Sequence, residues 1–235
     1  NWRLKRYRHL PRIHHLNYAG IATGQGFSDA VDRALFEVME RDALEIWWHL
    51  NGPARGIDTA TVPGLDQAMM GCDVQYWVVA MPHEFAPACA ALLYDPETGI
   101  YAAGFSAKPD PAEAARKAVL EAVHTWIYTR GTADADGWVF QAIEAGLMAK
   151  GLHLEYREDR KYLDSCGEHF RSVRDLGAHV QVWQDPRTHK LAQRFTHPTE
   201  GIGSIQEIEP VSAAQLRRHL AEAGHQVVVK DLTTP

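Results

Sequence analysis

The chain of 235 residues has little cysteine: Cys72, Cys89 and Cys166 are all it carries. An odd count with no Cys-x-x-Cys pair and no finger spacing excludes a disulfide scaffold and a structural zinc site. It implies a reducing, cytoplasmic setting. No apolar run reaches the ~20 residues of a membrane span, and no signal segment opens the chain. Cationic excess is missing too, since 24 Lys and Arg stand against 30 Asp and Glu, a formal net charge of -6. That argues against a broad nucleic-acid surface. The cations Arg3, Lys5, Arg6, Arg8 and Arg12 read as a solvated strand or arm. There is no Walker-type phosphate loop and no Gly-x-Gly-x-x-Gly dinucleotide fingerprint. The first residues, Asn1-Trp2, include no initiator Met, as expected for part of a longer gene product.

What is present suits a globular protein with a real core: 46% of residues are apolar and 23% charged. An internal repeat stands out. "YAGIATGQGFSDAVDRALFEVMERD" lies over "AAGFSAKPDPAEAARKAVLEAVHTW" without a gap. Ala19, Gly20, Ala30, Ala34 and Glu37 fall on Ala103, Gly104, Ala114, Ala118 and Glu121. Each copy reads as a short strand, a loop and a helix. Ser28 is the expected N-cap of the first helix, and Asp110-Pro111 opens the second. The small residues Ala34, Ala118 and Ala122 predict close packing against a sheet.

A second pattern, a helical run, a glycine and a β run, occurs at Gly71, Gly177 and Gly224. Glycine past a helix end adopts the left-handed conformation cheaply. Val74–Trp77, Val180–Trp183 and Val227–Val229 suit strands. Helices are expected at Glu168–Leu176 and Ala213–Ala223. Before Gly71 only Leu65–Met70 is available, short for a crossover, which suggests residues missing near 64–71. The expected fold is α/β (α+β), built from repeated units.

Both repeat helices carry a polar stripe: Asp29, Arg33, Glu37 and Glu40, with Arg41 beside it, and Glu113, Lys117, Glu121 and His124. These spacings keep each set on one helix face. One reading is a solvated ladder of Asp29–Arg33, Arg33–Glu37 and Glu37–Arg41 pairs worth a few tenths of a kcal/mol each. The other has the two faces meeting. Two carboxylates about 4 Å apart in a partly shielded site repel by roughly 4 kcal/mol. A cluster of Asp29, Glu37, Glu40 and Glu121 would then need cations. Oxygen ligands favour magnesium or calcium. Interleaved Arg33, Arg41 and Lys117 suit phosphate oxygens. That combination points to a magnesium nucleotide held between helices.

These residues resemble a known family. "GIATGQGFSDAVDRALFEVMERDALEIWW" is similar to a YcaO segment that reads roughly G-L-A-x-G-N-x-x-E-E-A-x-x-x-A-L-x-E-V-I-E-R-D-A and ends in a tryptophan pair. "GFSAKPDPAEAARKAVLEAVHTW" resembles the family's next segment, and "VVVKDLTTP" the stretch before its C-terminal part. The resemblance implies a single partial YcaO domain over 1–235. The family's earlier ATP-motif helix and its C-terminal segment lie outside the chain. It implies ATP and Mg2+ as cofactors, with Asp29, Glu37, Glu40 and Glu121 as magnesium ligands or their support. Gln25, where the family usually has Asn, would contact the nucleotide. Arg41 and Lys117 would contact phosphates. Lys117 replaces a usual Arg, and His124 a usual Gln that faces the nucleotide.

The implied activity is ATP-dependent activation of a peptide backbone amide. A nucleophile adds to the carbonyl, the oxyanion takes the γ-phosphoryl group, and phosphate then leaves. The expected product is a thiazoline or oxazoline in a ribosomally made precursor peptide. Amidine formation and thioamidation are alternatives by the same ATP chemistry, and a non-catalytic peptide-binding scaffold is the rival from another class. Expected partners are the precursor peptide, a leader-binding protein and a second copy in a homodimer, with no nucleic acid and no membrane. Trp47 and Trp48 read as core or interface. His14-His15 lacks a partner at ligand spacing, and Cys89 and Cys166 read as buried or incidental thiols.

Overall fold

The structure is a computed structural model and describes residues 18–149 and 151–233. The N-terminal basic run and His14-His15 lie outside the described residues. A five-stranded sheet has the order β4-β3-β2-β1-β5. Its strands are β1 (Arg55–Ile57), β2 (Gln75–Met81), β3 (Ala88–Asp95), β4 (Ile100–Ala107) and β5 (Ile202–Gly203). The first four pair antiparallel, and β5 joins β1 in parallel. Among the described residues β4 is therefore an edge strand.

Alternating side chains send two cores to opposite faces. On one face Val79, Met81, Ala88, Ala90 and Leu92 pack with Leu35, Phe36, Met39, Ala43 and Trp47 of α1 (Phe27–His49). On the other, Val78, Cys89, Ala91 and Leu93 pack with Ala114, Ala115, Ala118, Val119 and Ala122 of α3 (Pro111–Arg130). The alanine face of α3 permits the close approach expected of it. A Cβ on Gly104 would stand 2.2 Å from the Ala118 carbonyl oxygen and 2.3 Å from the Ala122 nitrogen. Only a glycine fits there, because the atoms met are backbone and cannot yield.

Asp110 caps α3 as expected, its side chain accepting from the Ala112 N–H with Pro111 in the first turn. Ser28 does not cap α1. The cap position is Gly26, without a side-chain bond. Asp29 in the first turn instead reaches back to the Gln25 N–H at 2.9 Å. Tyr18–Gly20 forms a turn rather than a strand. The two repeat copies are thus unequal, and their helices lie on opposite sheet faces.

The glycine pattern holds once in full. α2 (Leu65–Ala68) is one turn, Gly71 has φ +82, and β2 follows. Because β1 and β2 are antiparallel, no crossover helix is needed between them. At Gly177 the expectation reverses. α5 (Leu176–Val182) contains the glycine, and Glu168–Leu176 supplies only a 3-10 turn at Glu168–Phe170. Asp175 caps α5, and the Gln181 side chain bonds both the N–H and the C=O of Leu154. Tertiary contacts outweigh the β propensity of Val180 and Val182. At Gly224, α7 (Ala213–Glu222) ends with φ +83, but Val227–Val229 forms no strand and remains exposed.

Two short helices, α4 (Trp138–Glu144) and α6 (Gln193–Thr196), complete the set. Arg194 of α6 stacks over Trp47 and Trp48, 4.7 Å from each ring centroid. Its guanidinium donates to the carbonyls of both, satisfying the C-terminal end of α1. Trp47 is buried in the core, and Trp48 packs partly buried against it. Among the described residues, no helix is long and apolar enough to cross a membrane, and all three cysteines are free.

Candidate functional site

α1 covers one sheet face and α3 the other, yet both run along β4. Each sends a carboxylate to that strand's outer edge. From α3, Glu121 Oε2 accepts from the Phe105 N–H at 2.8 Å. From α1, Glu40 is stabilised in its charged form by the Ala107 N–H, two residues further along. The acids occupy donors that the edge strand would otherwise leave unpaired. The expectation that the two stripes share one place is met by this pair.

The two acids repel each other. The Glu40 side chain is 11% exposed. Burial, and then repulsion from Glu121, push its carboxyl up from 4.5 to about 7, against the pull of Arg41, the Ala107 N–H and Lys108. Arg41 Nε stands 3.6 Å from Glu40 Oε1. Lys108 lies outside both polar stripes, although its place between the end of a β run and the Pro-Asp-Pro that opens α3 is legible in the sequence.

The other expected residues are arranged differently. Asp29 is engaged with the Gln25 N–H and with Arg33 Nε at 3.0 Å, and both hold its carboxyl below the usual range. Of the solvated ladder, only this Asp29–Arg33 rung forms. The pairs Arg33–Glu37 and Glu37–Arg41 do not, because Arg33 is taken by Asp29 and Arg41 turns to Glu40. Glu37 is partly buried one turn before Glu40, while Gln25, Lys117 and His124 are exposed. Among the described residues, no group of three or more His, Cys, Asp and Glu is placed to hold a metal ion. The four acids Asp29, Glu37, Glu40 and Glu121 therefore do not form a ready cage. Asp29 is committed to the start of α1, and only Glu40 and Glu121 converge. Two carboxylates nevertheless fit magnesium, which is typically held by one or two carboxylates, substrate phosphates and water rather than by an all-protein cage.

The chain is a mixed α/β protein with helices on both faces of one sheet. The family model described as "YcaO cyclodehydratase", ATP- and Mg2+-binding, matches residues 4–235, and the chain belongs to that family. The fold agrees with the YcaO structure from Methanopyrus kandleri bound with AMPPCP and Mg2+. That comparison has TM-score 0.52 and 18% identity, over 92% of this chain and 50% of that one. The E. coli microcin synthetase McbBCD complex with pro-MccB17 bound gives TM-score 0.49 and 14% identity, over 88% of this chain and 47% of that one. The heterocyclase TruD gives 0.48 and 17%, over 91% and 26%. The chain thus spans half or less of the length of these structures. No curated protein matches it.

Proposed function

We propose that this chain contributes the magnesium end of an ATP site that activates a peptide backbone amide by O-phosphorylation. The observation carrying the reading is the convergence of Glu40 and Glu121 on the outer edge of β4, with Glu40 raised to about 7. An acid pair in that state is stabilised by a cation. Family membership supports ATP and Mg2+ as cofactors. The domain reading, in which 1–235 is part of a single YcaO unit, rests on the same match.

Glu40 and Glu121 would hold the metal, with Glu37 one turn away in support. Asp29 orders the start of α1 and the Gln25 backbone rather than acting as a ligand. Bound Mg2+ would neutralise charge on the transferring phosphoryl group. Arg41 balances Glu40 and orients its carboxylate. Lys117 and His124, exposed on α3 beside Glu121, remain candidates for nucleotide contacts. The chemistry we favour is azoline formation in a ribosomally made precursor peptide, with a leader-binding partner and a homodimer as the assembly.

The test is the intact mass of a precursor peptide incubated with the full-length protein and Mg-ATP, with and without sulfide, against Glu40→Gln. ATP-dependent loss of water that disappears in the variant supports the reading, and fragmentation separates azoline from amidine. A mass gain only with sulfide identifies thioamidation. An unchanged peptide, together with no Mg-ATP binding, leaves a peptide-binding scaffold.

A further inference from the structure

Lys108 has an unusual combination of a fixed backbone and a free head group. Its N–H donates to the Pro87 carbonyl at 3.3 Å. Ala107 before it faces Glu40, and Pro109 after it accepts from the Val211 N–H. Pro87 closes a turn organised by His83, whose side chain is 1% exposed. His83 Nδ1 accepts from the N–H groups of Phe85 and Ala86. The ring proton therefore sits on Nε2, 3.2 Å from Asp42 Oδ2 on α1. A chain of contacts thus runs from α1, just past Glu40 and Arg41, through the β2–β3 turn to the backbone of Lys108. The half-buried Lys108 side chain nonetheless makes no hydrogen bond or ion pair among the described residues.

A lysine that served only to neutralise the acids would close onto one of them, as Arg41 does onto Glu40. Lys108 stands close enough to favour the ionised form of Glu40, yet forms no pair with it. Resting on the ATP reading above, we propose that Lys108 is a phosphate-binding residue of that site. It presents its ammonium to the terminal phosphates of the nucleotide, from the end of β4 beside the acid pair. A rigid strand end carrying a compact cation suits this, because little backbone freedom is lost on binding.

The experiment is calorimetric titration of the full-length protein and its Lys108→Met and Lys108→Arg variants with Mg-ATP, Mg-ADP and AMP, with thermal melting of each variant alone. The expected result is a loss in Mg-ATP affinity of roughly tenfold or more in Lys108→Met, the size of one hydrogen bond to a charged group. AMP binding should be unchanged, and Lys108→Arg should recover most of the loss. An equal loss for all three nucleotides, or a lowered melting temperature with unchanged preference for ATP over AMP, makes Lys108 a structural counter-ion and overturns the inference. Equal Mg-ATP affinity in wild type and Lys108→Met also overturns it, while leaving the ATP reading intact. Failure of the wild type to bind Mg-ATP overturns the ATP reading and this inference together.

Discussion

Glu40 and Glu121 reach the same edge strand from opposite faces of the sheet, one at the level of Ala107 and the other on the Phe105 N–H at 2.8 Å. Neither helix could place both acids, since each covers only its own face. The sheet edge brings them together, and the mutual repulsion is a property of the fold.

The first prediction concerns pH. Glu40 titrates from 4.5 up to about 7 on folding, so the folded state holds its proton more tightly than the unfolded chain. Its contribution therefore falls as pH rises from 4.5 through 7. In metal-free buffer, Glu40→Gln should be more stable than wild type at pH 8 by up to about 3 kcal/mol, with the difference shrinking towards pH 4. Urea unfolding across that range measures it, and a pH-independent difference would contradict the assignment.

Glu121→Gln keeps an oxygen for the Phe105 N–H but removes the charge facing Glu40. The Glu40 carboxyl should move back towards 4.5 while the fold stays intact. Burial, the larger cause, remains, so the return is partial. Carboxyl titration by 13C NMR reads this directly, and an unmoved Glu40 would mean the two acids do not interact.

Gly104→Ala tests the packing that carries Glu121. The added methyl meets backbone of α3 at 2.2 and 2.3 Å, so α3 must move off β4. A loss of at least ~3 kcal/mol is expected. Equal urea midpoints for the two proteins would show that the helix does not approach so closely.

Arg194→Met removes the cation over Trp47 and Trp48 and the two donors at the end of α1. A destabilisation of about 1–3 kcal/mol is expected. Equal urea midpoints for the variant and wild type would contradict a role for Arg194 in closing the C-terminal end of α1.

The repeat and the acid stripes make the two helices and the candidate acids legible in the sequence. Alanine spacing gave the α3 face, and Asp110-Pro111 gave its start. What was hidden depended on tertiary placement. The stripes bring Glu40 and Glu121 into one cluster, but sequence does not show that of the four acids only these two converge. Asp29 looked like a ligand because a side chain closing a helix start and one binding a metal have the same residue type. The β run around Gly177 becomes a helix because Asp175 caps it locally and Gln181 ties it to Leu154, a contact 27 residues away in the chain. Lys108 belongs to neither stripe, and the role proposed for it depends on the strand end on which it sits.

The most direct measurement is the 13C titration of the Glu40 carboxyl in the full-length protein, without ligand and then with Mg-ATP. The account predicts a midpoint near 7 when free, falling well below that when Mg-ATP binds, since a cation between the acids favours their charged forms. A midpoint near 4.5 in the free protein, or one that Mg-ATP leaves unmoved, would contradict the claim that this acid pair is the metal end of the site.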